Sequence, residues 1–274
     1  MNSDWYIDKG YTHKICEDYV VVGNGFAIVS DGCSASKHTD IGARVLCMSA
    51  RELLLNFLED GGEELDHRHF GNHVIGVAYS SIQNLGLPLT CLDATLLVTY
   101  VHRDRVRILM YGDGYAIITF DDGKKMLWKK EYPQNAPYYL SYQLDYQRQQ
   151  TYCQQISDYQ FFHTSNVPDK ELQMPAYRWI ETTIPVEETV PIARFIDQPD
   201  NMRISNVLIM SDGVASFLEN SKNVDDTNIL EEFTNFKVMK GEFVRRRCNA
   251  VMKRFAKDGV KHYDDISVAG IHLV

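Results

Sequence analysis

The sequence predicts a mixed α/β fold with antiparallel strand pairing, on three observations. Short β-rich runs follow one another between residues 94 and 128 with only turns between them, which reads as a meander and not as strand–helix alternation. Two longer stretches, 39–58 and 66–85, read as helices, the first with Ile41, Val45, Met48, Leu53 and Leu54 at a roughly helical period. Apolar strands also end repeatedly in an aspartate followed by glycine, which puts carboxylates on rigid supports.

The first strands are Tyr19-Val20-Val21-Val22 and Phe26-Ala27-Ile28-Val29, joined as a hairpin through Gly23-Asn24-Gly25. Ser30-Asp31-Gly32 closes the second. Thr39 or Asp40 caps a helix that Gly61-Gly62 stops, and Gly86 and Pro88 end the next. Strands at 94–101 and 106–111 turn at His102-Arg103-Asp104-Arg105. Gly112-Asp113-Gly114 breaks the chain before a third run at 115–120, and Asp121-Asp122-Gly123 turns it into Lys125-Met126-Leu127-Trp128. From Pro133 to about Asp200 the pattern weakens: seven of the eight prolines fall there among many tyrosines, so it reads as strands interrupted by a long irregular insertion. Order resumes at 204–210, closed by Ser211-Asp212-Gly213. Helices follow at about 225–236 and 241–257, and a last strand, 266–273, comes after Asp264-Asp265.

Composition narrows the function classes. The 274 residues are 45% apolar and 24% charged, which excludes collagen, coiled coil and wholesale disorder. Lys and Arg total 28 against 37 Asp and Glu, a formal charge of −9. That argues against a nucleic-acid binder, which needs a basic face, and permits an acidic pocket that concentrates cations. Cys16, Cys33, Cys47, Cys91, Cys153 and Cys248 are scattered without a C-x-x-C pair, so reduced thiols are expected. No apolar run approaches the ~20 residues that span a bilayer, and Met1-Asn2-Ser3-Asp4-Trp5 has no signal-peptide character. A cytoplasmic protein with no membrane partner is the expectation.

The strand-end acids carry the chemistry. They are Asp31 in Val29-Ser30-Asp31-Gly32, Asp113 in Tyr111-Gly112-Asp113-Gly114, Asp212 in Met210-Ser211-Asp212-Gly213, and Asp264 immediately before the last strand. Asp-Gly is a common turn dipeptide, and Asp121-Asp122-Gly123, set between strands, is read as a turn. Converging carboxylates cannot all stay ionised without a cation. Oxygen donors without His or Cys suit Mg²⁺ or Mn²⁺ better than zinc.

Taken in order, these motifs resemble those of the metal-dependent Ser/Thr protein phosphatases of the type-2C (PPM) group, in a bacterial-type variant. The family's basic residue followed by Glu-Asp matches His13-Lys14-Ile15-Cys16-Glu17-Asp18, and its metal-bridging Asp-Gly matches Asp31-Gly32. Its Thr-bearing strand matches Ala94-Thr95-Leu96-Leu97, and its Gly-Asp-Ser matches Gly112-Asp113-Gly114. Its Ser-Asp-Gly matches Ser211-Asp212-Gly213, and its terminal Asp-Asn-hydrophobe-Thr matches Asp264-Asp265-Ile266-Ser267. The resemblance runs from Gly10 to Val274. It implies one domain over 1–274, a four-layer α-β-β-α sandwich with a flap-like insertion around 133–200. It implies hydrolysis of phosphoserine and phosphothreonine in proteins by a water bridging two Mn²⁺ or Mg²⁺ ions per subunit. Asp31 would bridge the metals and the Gly32 carbonyl would ligate one. Asp212 and Asp264 would hold the other, Glu17 and Asp18 would act through waters, and Asp113 would serve a third site. A phosphoprotein substrate, a cognate Ser/Thr kinase and a monomeric state follow from the same resemblance.

The departures support a rival reading, a non-catalytic pseudophosphatase acting as a binding or regulatory module. His13 stands where many relatives carry a phosphate-gripping arginine, and it lacks the bidentate fork. Cys33 stands where some carry a histidine general acid. Both are retained as substrate-binding candidates. Ser216 replaces an acidic residue four positions after Asp212, which weakens a third metal site. Outside the motifs, His67, His69 and His73 have spacings that permit zinc but lack a Glu or Cys partner, and a solvated face is expected. Arg245-Arg246-Arg247 reads as a solvated basic face. Tyr138, Tyr139, Tyr142 and Tyr146 belong either to a flap or to core packing.

Overall fold

The computed structural model describes residues 1–61, 65–103, 105–165, 178–185, 194–196 and 203–273. Of the insertion expected around 133–200, residues 166–177, 186–193 and 197–200 lie outside them. The chain opens with β1 (Asn2–Asp8), the hairpin β2 (Tyr19–Gly23) and β3 (Phe26–Ser30), then α1 (Thr39–Asp60) and α2 (His67–Asn84). The meander follows as β4 (Leu96–His102), β5 (Arg105–Tyr111), β6 (Gly114–Phe120) and β7 (Lys125–Glu131). Then come α3 (Tyr146–Gln155), β8 (Asp158–Ser165), β9 (Arg178–Pro185), β10 (Arg194–Ile196) and β11 (Ile204–Met210). A small three-stranded sheet is made by β12 (Phe217–Glu219), β13 (Lys222–Asn223) and β14 (Lys261–His262). Helices α4 (Asp226–Thr234) and α5 (Phe243–Asp258) interrupt it, and β15 (Ile266–His272) ends the order.

Two antiparallel sheets form the centre. One has the order β1-β15-β11-β6-β7-β8-β9 and the other β10-β5-β4-β3-β2. Their facing sides share one apolar layer, with Ala27, Val29, Leu97, Ile108 and Met110 against Ala116, Ile118, Trp128, Val207, Ile209 and Ala269. The outer face of the smaller sheet packs on α1 and α2 through Ile28, Val98, Leu109, Leu46, Leu54 and Val74. The outer face of the larger one packs on α4 and α5 through Ile117, Leu208, Val268, Ile229, Phe233 and Val244. The result is the four-layer α-β-β-α arrangement. Strands buried on both faces explain their nearly continuous apolar runs; each fully buried aliphatic side chain contributes about 1.5–3 kcal/mol.

The chain crosses between sheets at Gly112-Asp113, from the end of β5 to the start of β6. Gly114 there has φ of +131°, and a Cβ would come 2.7 Å from the Met210 carbonyl oxygen. Only glycine fits that crossing, and it sets Asp113 between the two sheets.

Several elements differ from the sequence expectation. β1 is a strand because it pairs edge-on with β15 from Asn2↔His272 to Asp8↔Ile266; its apolar run, Trp5-Tyr6-Ile7, is too short to mark it. α3 is a helix with one buried residue, Tyr152, and Asp145 caps it by accepting from the Arg148 N–H. The Arg245-Arg246-Arg247 run is engaged: Arg247 pairs with Glu232 at 2.7 Å, Arg246 donates to the Val238 and Lys240 carbonyls, and Arg245 lies over the Trp5 ring. All six cysteines are free. Among the described residues no helix is long and apolar enough to cross a membrane.

Candidate metal centre

Strand β3 delivers Asp31, and a hydroxyl on β4's approach fixes it. Thr95 Oγ1 accepts from the Asp31 N–H at 3.1 Å, and the Thr95 N–H donates to the Asp31 carbonyl at 2.8 Å. Gly32 then bridges to Ala94. A Cβ at Gly32 would lie 2.9 Å from the carbonyl oxygens of Glu17 and Thr39, so glycine lets three backbone segments meet. Thr39 Oγ1, at the start of α1, donates to Glu17 Oε1 at 2.7 Å.

The second sheet supplies the other acids. Asp212 follows β11, and Ser211 beside it donates through Oγ to Asp18 Oδ2 at 2.9 Å. Ser216 ties this loop to the start of β15: its hydroxyl donates to the Gly213 carbonyl at 2.7 Å and accepts from the Asp264 N–H at 3.1 Å. Asp265, 1% exposed, accepts from the Gly10 N–H at 2.7 Å and the Glu17 N–H at 2.6 Å. It thereby pins the segment bearing His13 and Glu17 against the last strand.

These carboxylates feel one another. Burial raises Asp31 well above the ordinary carboxylate range, and the charges of Asp18, Asp212 and Asp264 raise it further. Asp113 is raised by burial and then by Asp212, and Asp264 by burial and then by Asp212. Burial pushes Asp18 up to about 7, against hydrogen bonds that pull it back. Asp18 Oδ1 is fully buried, with no hydrogen-bond partner among the described residues.

His13 is surrounded by acids. Nε2 lies 3.3 Å from Asp264 Oδ1, while Nδ1 lies 3.1 Å from Asp265 Oδ2 and 3.8 Å from Glu17 Oε2. The Asp265 contact has ion-pair distance but is misaligned for a hydrogen bond. Burial opposes charging the ring, yet Asp265, Asp264 and Glu17 outweigh it and hold His13 above the ordinary imidazole value. Both ring nitrogens are thus turned to carboxylates. Cys33 donates its N–H to the Asp93 carbonyl at 2.9 Å, and its thiol neighbours the Tyr139 hydroxyl.

The donor set suits a hard divalent cation: it consists of carboxylate and carbonyl oxygens, one of them an orphaned buried carboxylate oxygen. Among the described residues no group of three or more His, Cys, Asp or Glu stands arranged to hold a metal ion as it is. Asp113 and Asp212 line one pocket together with Lys130 and Glu131.

The Asp-Gly and strand-start pattern names Asp31, Asp113, Asp212 and Asp264, and the fold brings Asp212 and Asp264 near enough for their charges to act on Asp31, and Asp212 on Asp113. Sequence reading misses the anchoring roles of Ser211, Ser216 and Asp265, because their partners come from distant segments. The histidine trio is not a metal site: His67 is buried and stacked on Tyr111, while His73 Nδ1 sits 3.0 Å from the His69 carbonyl. Tyr138 and Tyr139 are core residues at 7% exposure, whereas Tyr146 is 71% exposed.

Known proteins agree with this architecture. The chain superposes on the serine/threonine phosphatase PstP/Ppp of Mycobacterium tuberculosis with TM-score 0.54 and 16% identity, over 99% of this chain and 98% of that one. For the catalytic domain of PstP in complex with two manganese ions the TM-score is 0.52 at 15% identity, over 100% and 98%. For phosphatase Stp1 of Staphylococcus aureus it is 0.51 at 10%, over 99% and 94%. At these identities the likeness is one of fold. No curated protein matches the sequence. The sequence profile of protein phosphatase 2C matches residues 11–252, nearly the whole span over which the motifs run, and the chain therefore belongs to the protein phosphatase 2C family.

Proposed function

We propose that this chain hydrolyses phosphoserine and phosphothreonine in proteins, with two divalent cations, Mn²⁺ or Mg²⁺, held by Asp31, the Gly32 carbonyl, Asp212 and Asp264. The observation that carries the reading is Asp31, half-buried just after β3, on which the charges of Asp18, Asp212 and Asp264 act from other segments. Family membership supports the activity, and the manganese pair in the PstP structure supports the metal. Cations bound there would neutralise the phosphate and lower the pKa of an attacking water.

The chain's own groups hold and orient. Thr95 fixes the backbone at Asp31, Ser216 fixes the backbone at Asp264, and Ser211 turns Asp18. Glu17, held by Thr39 and Asp265, and Asp18 would reach the cations through water, and Asp113 would serve a further cation. An all-oxygen donor set suits Mg²⁺ or Mn²⁺, which keep several waters. His13 is better placed to brace Asp264 and Asp265 than to grip phosphate, and Cys33 lines the approach beside Tyr139. A single domain, a monomeric state, a cytoplasmic setting and a cognate kinase complete the reading. The non-catalytic alternative rests only on His13 and Cys33, and the family match does not favour it.

The test is turnover of p-nitrophenyl phosphate and of a phosphothreonine peptide with and without Mn²⁺, for wild type and Asp31→Ala. Activity only with metal, lost in the variant, is expected. Metal-independent turnover or an active Asp31→Ala protein would overturn the reading.

A further inference from the structure

A second cavity opens on the other side of the Gly112 crossing. It has a volume of about 500 Å³ and lies between α2, the end of β5, β7 and the tyrosine-rich segment. That size suits a small organic ligand. His67, Tyr111, Lys130, Tyr132 and Tyr138 form its interior, with Arg68 at the exposed rim. Among the described residues no Asp or Glu lines it, although the chain carries a net charge of −9.

Lys130 is the unusual member. It is 5% exposed, and its ammonium sits 4.6 Å from the Tyr159 ring centroid and 5.2 Å from that of Tyr132. Among the described residues no carboxylate pairs with it; Asp113 acts on it only at longer range. Buried ammonium groups are ordinarily paired, and aromatic faces replace only part of the lost hydration. Burial pulls Lys130 down to about 7, with Asp113 offsetting part of the shift, so the interior alone supports its charge poorly.

The same lining includes a flat aromatic pair. The His67 and Tyr111 rings stack with centroids 4.0 Å apart and planes at 24°. The Tyr111 hydroxyl donates to the His67 carbonyl at 2.7 Å, which fixes the pair. Burial and the Lys130 charge push His67 down to about 3, so its ring is neutral. A preformed aromatic face beside one unpaired cation recognises a flat molecule bearing a negative group.

We propose that this cavity binds a small aromatic anion, with its carboxylate or phosphate on the Lys130 ammonium and its ring against the His67–Tyr111 stack. None of these residues is a proposed metal ligand, although Lys130 and Tyr132 also line the pocket that holds Asp113 and Asp212, so the Asp31→Ala control below separates the two sites. The assignment puts a ligand one residue from Asp113, through Gly112.

The test is isothermal titration of the full chain, in Mn²⁺ buffer, with 1-naphthoate and with AMP, which separates carboxylate from phosphate sources. At least one probe should bind one-to-one, with equal affinity for wild type and Asp31→Ala. Lys130→Met should weaken it about tenfold, as expected for losing a charged hydrogen bond, and Lys130→Arg should retain most of it. Asn72→Trp, at an exposed lining position on α2, should block the cavity and abolish binding even if Lys130→Met proves unstable. The proposal fails if neither probe saturates wild type at millimolar concentration, or if binding disappears in Asp31→Ala, which would locate the probe in the metal centre. It also fails if binding survives Asn72→Trp, and the anion assignment fails if a folded Lys130→Met binds as well as wild type. Turnover of p-nitrophenyl phosphate, read in parallel, keeps failure here distinct from failure of the proposed activity.

Discussion

His13 Nδ1 lies 3.1 Å from Asp265 Oδ2, so two positions at which this chain departs from the type-2C motifs touch each other. Where arginine and asparagine would together carry one positive charge, a charged histidine beside an aspartate carries none. The rim of the centre is therefore less positive, and capture of phosphate falls more heavily on the cations. Asp265 in return accepts from two backbone N–H groups, at Gly10 and Glu17.

His13→Ala should consequently act on the metal and not first on the substrate. It removes the group facing Asp264, Asp265 and Glu17 at once. Mn²⁺ affinity should fall about tenfold, the scale for losing a partner that orients a ligand, with kcat recovered at saturating metal. Asp265→Asn should weaken Mn²⁺ too, and the double variant should lose less than the sum because the pair acts as a unit. Calorimetric Mn²⁺ titration reads all three. Unchanged affinity with a raised KM for a phosphopeptide would return His13 to the phosphate.

Asp31→Asn should stabilise the metal-free chain while disabling it. Asp31 is half-buried against the charges of Asp18, Asp212 and Asp264, so an uncharged isostere removes repulsion that only a cation otherwise relieves. At a hundredfold excess over Kd, Mn²⁺ should raise the wild-type Tm by about 5–10 °C and the variant's far less. Calorimetric melting with and without Mn²⁺ checks both halves. A metal-free variant that melts below wild type would contradict the repulsion argument.

Much of this was legible before the structure. The hairpin of β2 and β3, the helices α1 and α2, and the strands β4 to β6 follow from apolar period and turn chemistry, because each is locally consistent. The acids Asp31, Asp113, Asp212 and Asp264 were legible for the same reason: a strand that stops at a carboxylate is a local pattern. What was not legible is tertiary. β1 exists through its pairing with β15, and α3 buries little beyond Tyr152, so neither shows a period. For α3 the Asp145 cap was the one available sign. Ser216 and Asp265 stand out in the sequence only as departures from the motifs; their anchoring roles appear once the fold brings Asp264 and Glu17 to them. Lys130 reads as one of many lysines; only the alternation along β7 decides that Lys129 meets Asp226 while Lys130 turns inward.

That inward lysine gives a pH dependence with a definite sign. Its folded pKa is pulled down to about 7, below the ordinary lysine value of about 10.4. Between those values the unfolded chain holds a proton that the folded chain has released, so this contribution destabilises less as pH rises. Lys130→Met removes it. The variant should be more stable than wild type at pH 7, and its advantage should shrink toward pH 10 by at most about 1.4 kcal/mol per pH unit. Denaturant unfolding at several pH values measures the difference, and an advantage that grows with pH would contradict the burial of an unpaired ammonium.

The last prediction concerns how the tyrosine-rich segment is tied to the centre. Arg148 Nη2, on α3, donates to both carboxylate oxygens of Asp93, at 3.0 and 2.8 Å. Ser141 and Ser36 donate to the same carboxylate at 2.6 and 2.8 Å, and the Asp93 carbonyl accepts from Cys33. Asp93 thus fastens α3 and its preceding turn to the loop that follows Asp31-Gly32. Asp93→Ala leaves a half-buried guanidinium and two hydroxyls without their acceptor, a loss of about 2–4 kcal/mol once the partial exposure of Arg148 is discounted. Arg148→Ala should cost less, since Asp93 keeps both serines, and the double variant should reveal a coupling of about 1–3 kcal/mol. Because the loop carrying Cys33 and Ser36 is released together with α3, kcat/KM should fall in Asp93→Ala at temperatures where the protein remains folded, whereas Arg148→Lys should keep most of it. Melting curves paired with phosphopeptide kinetics measure both effects. Additive losses, or a folded Asp93→Ala protein with full kcat/KM, would mean that α3 and the Asp31 loop are held independently.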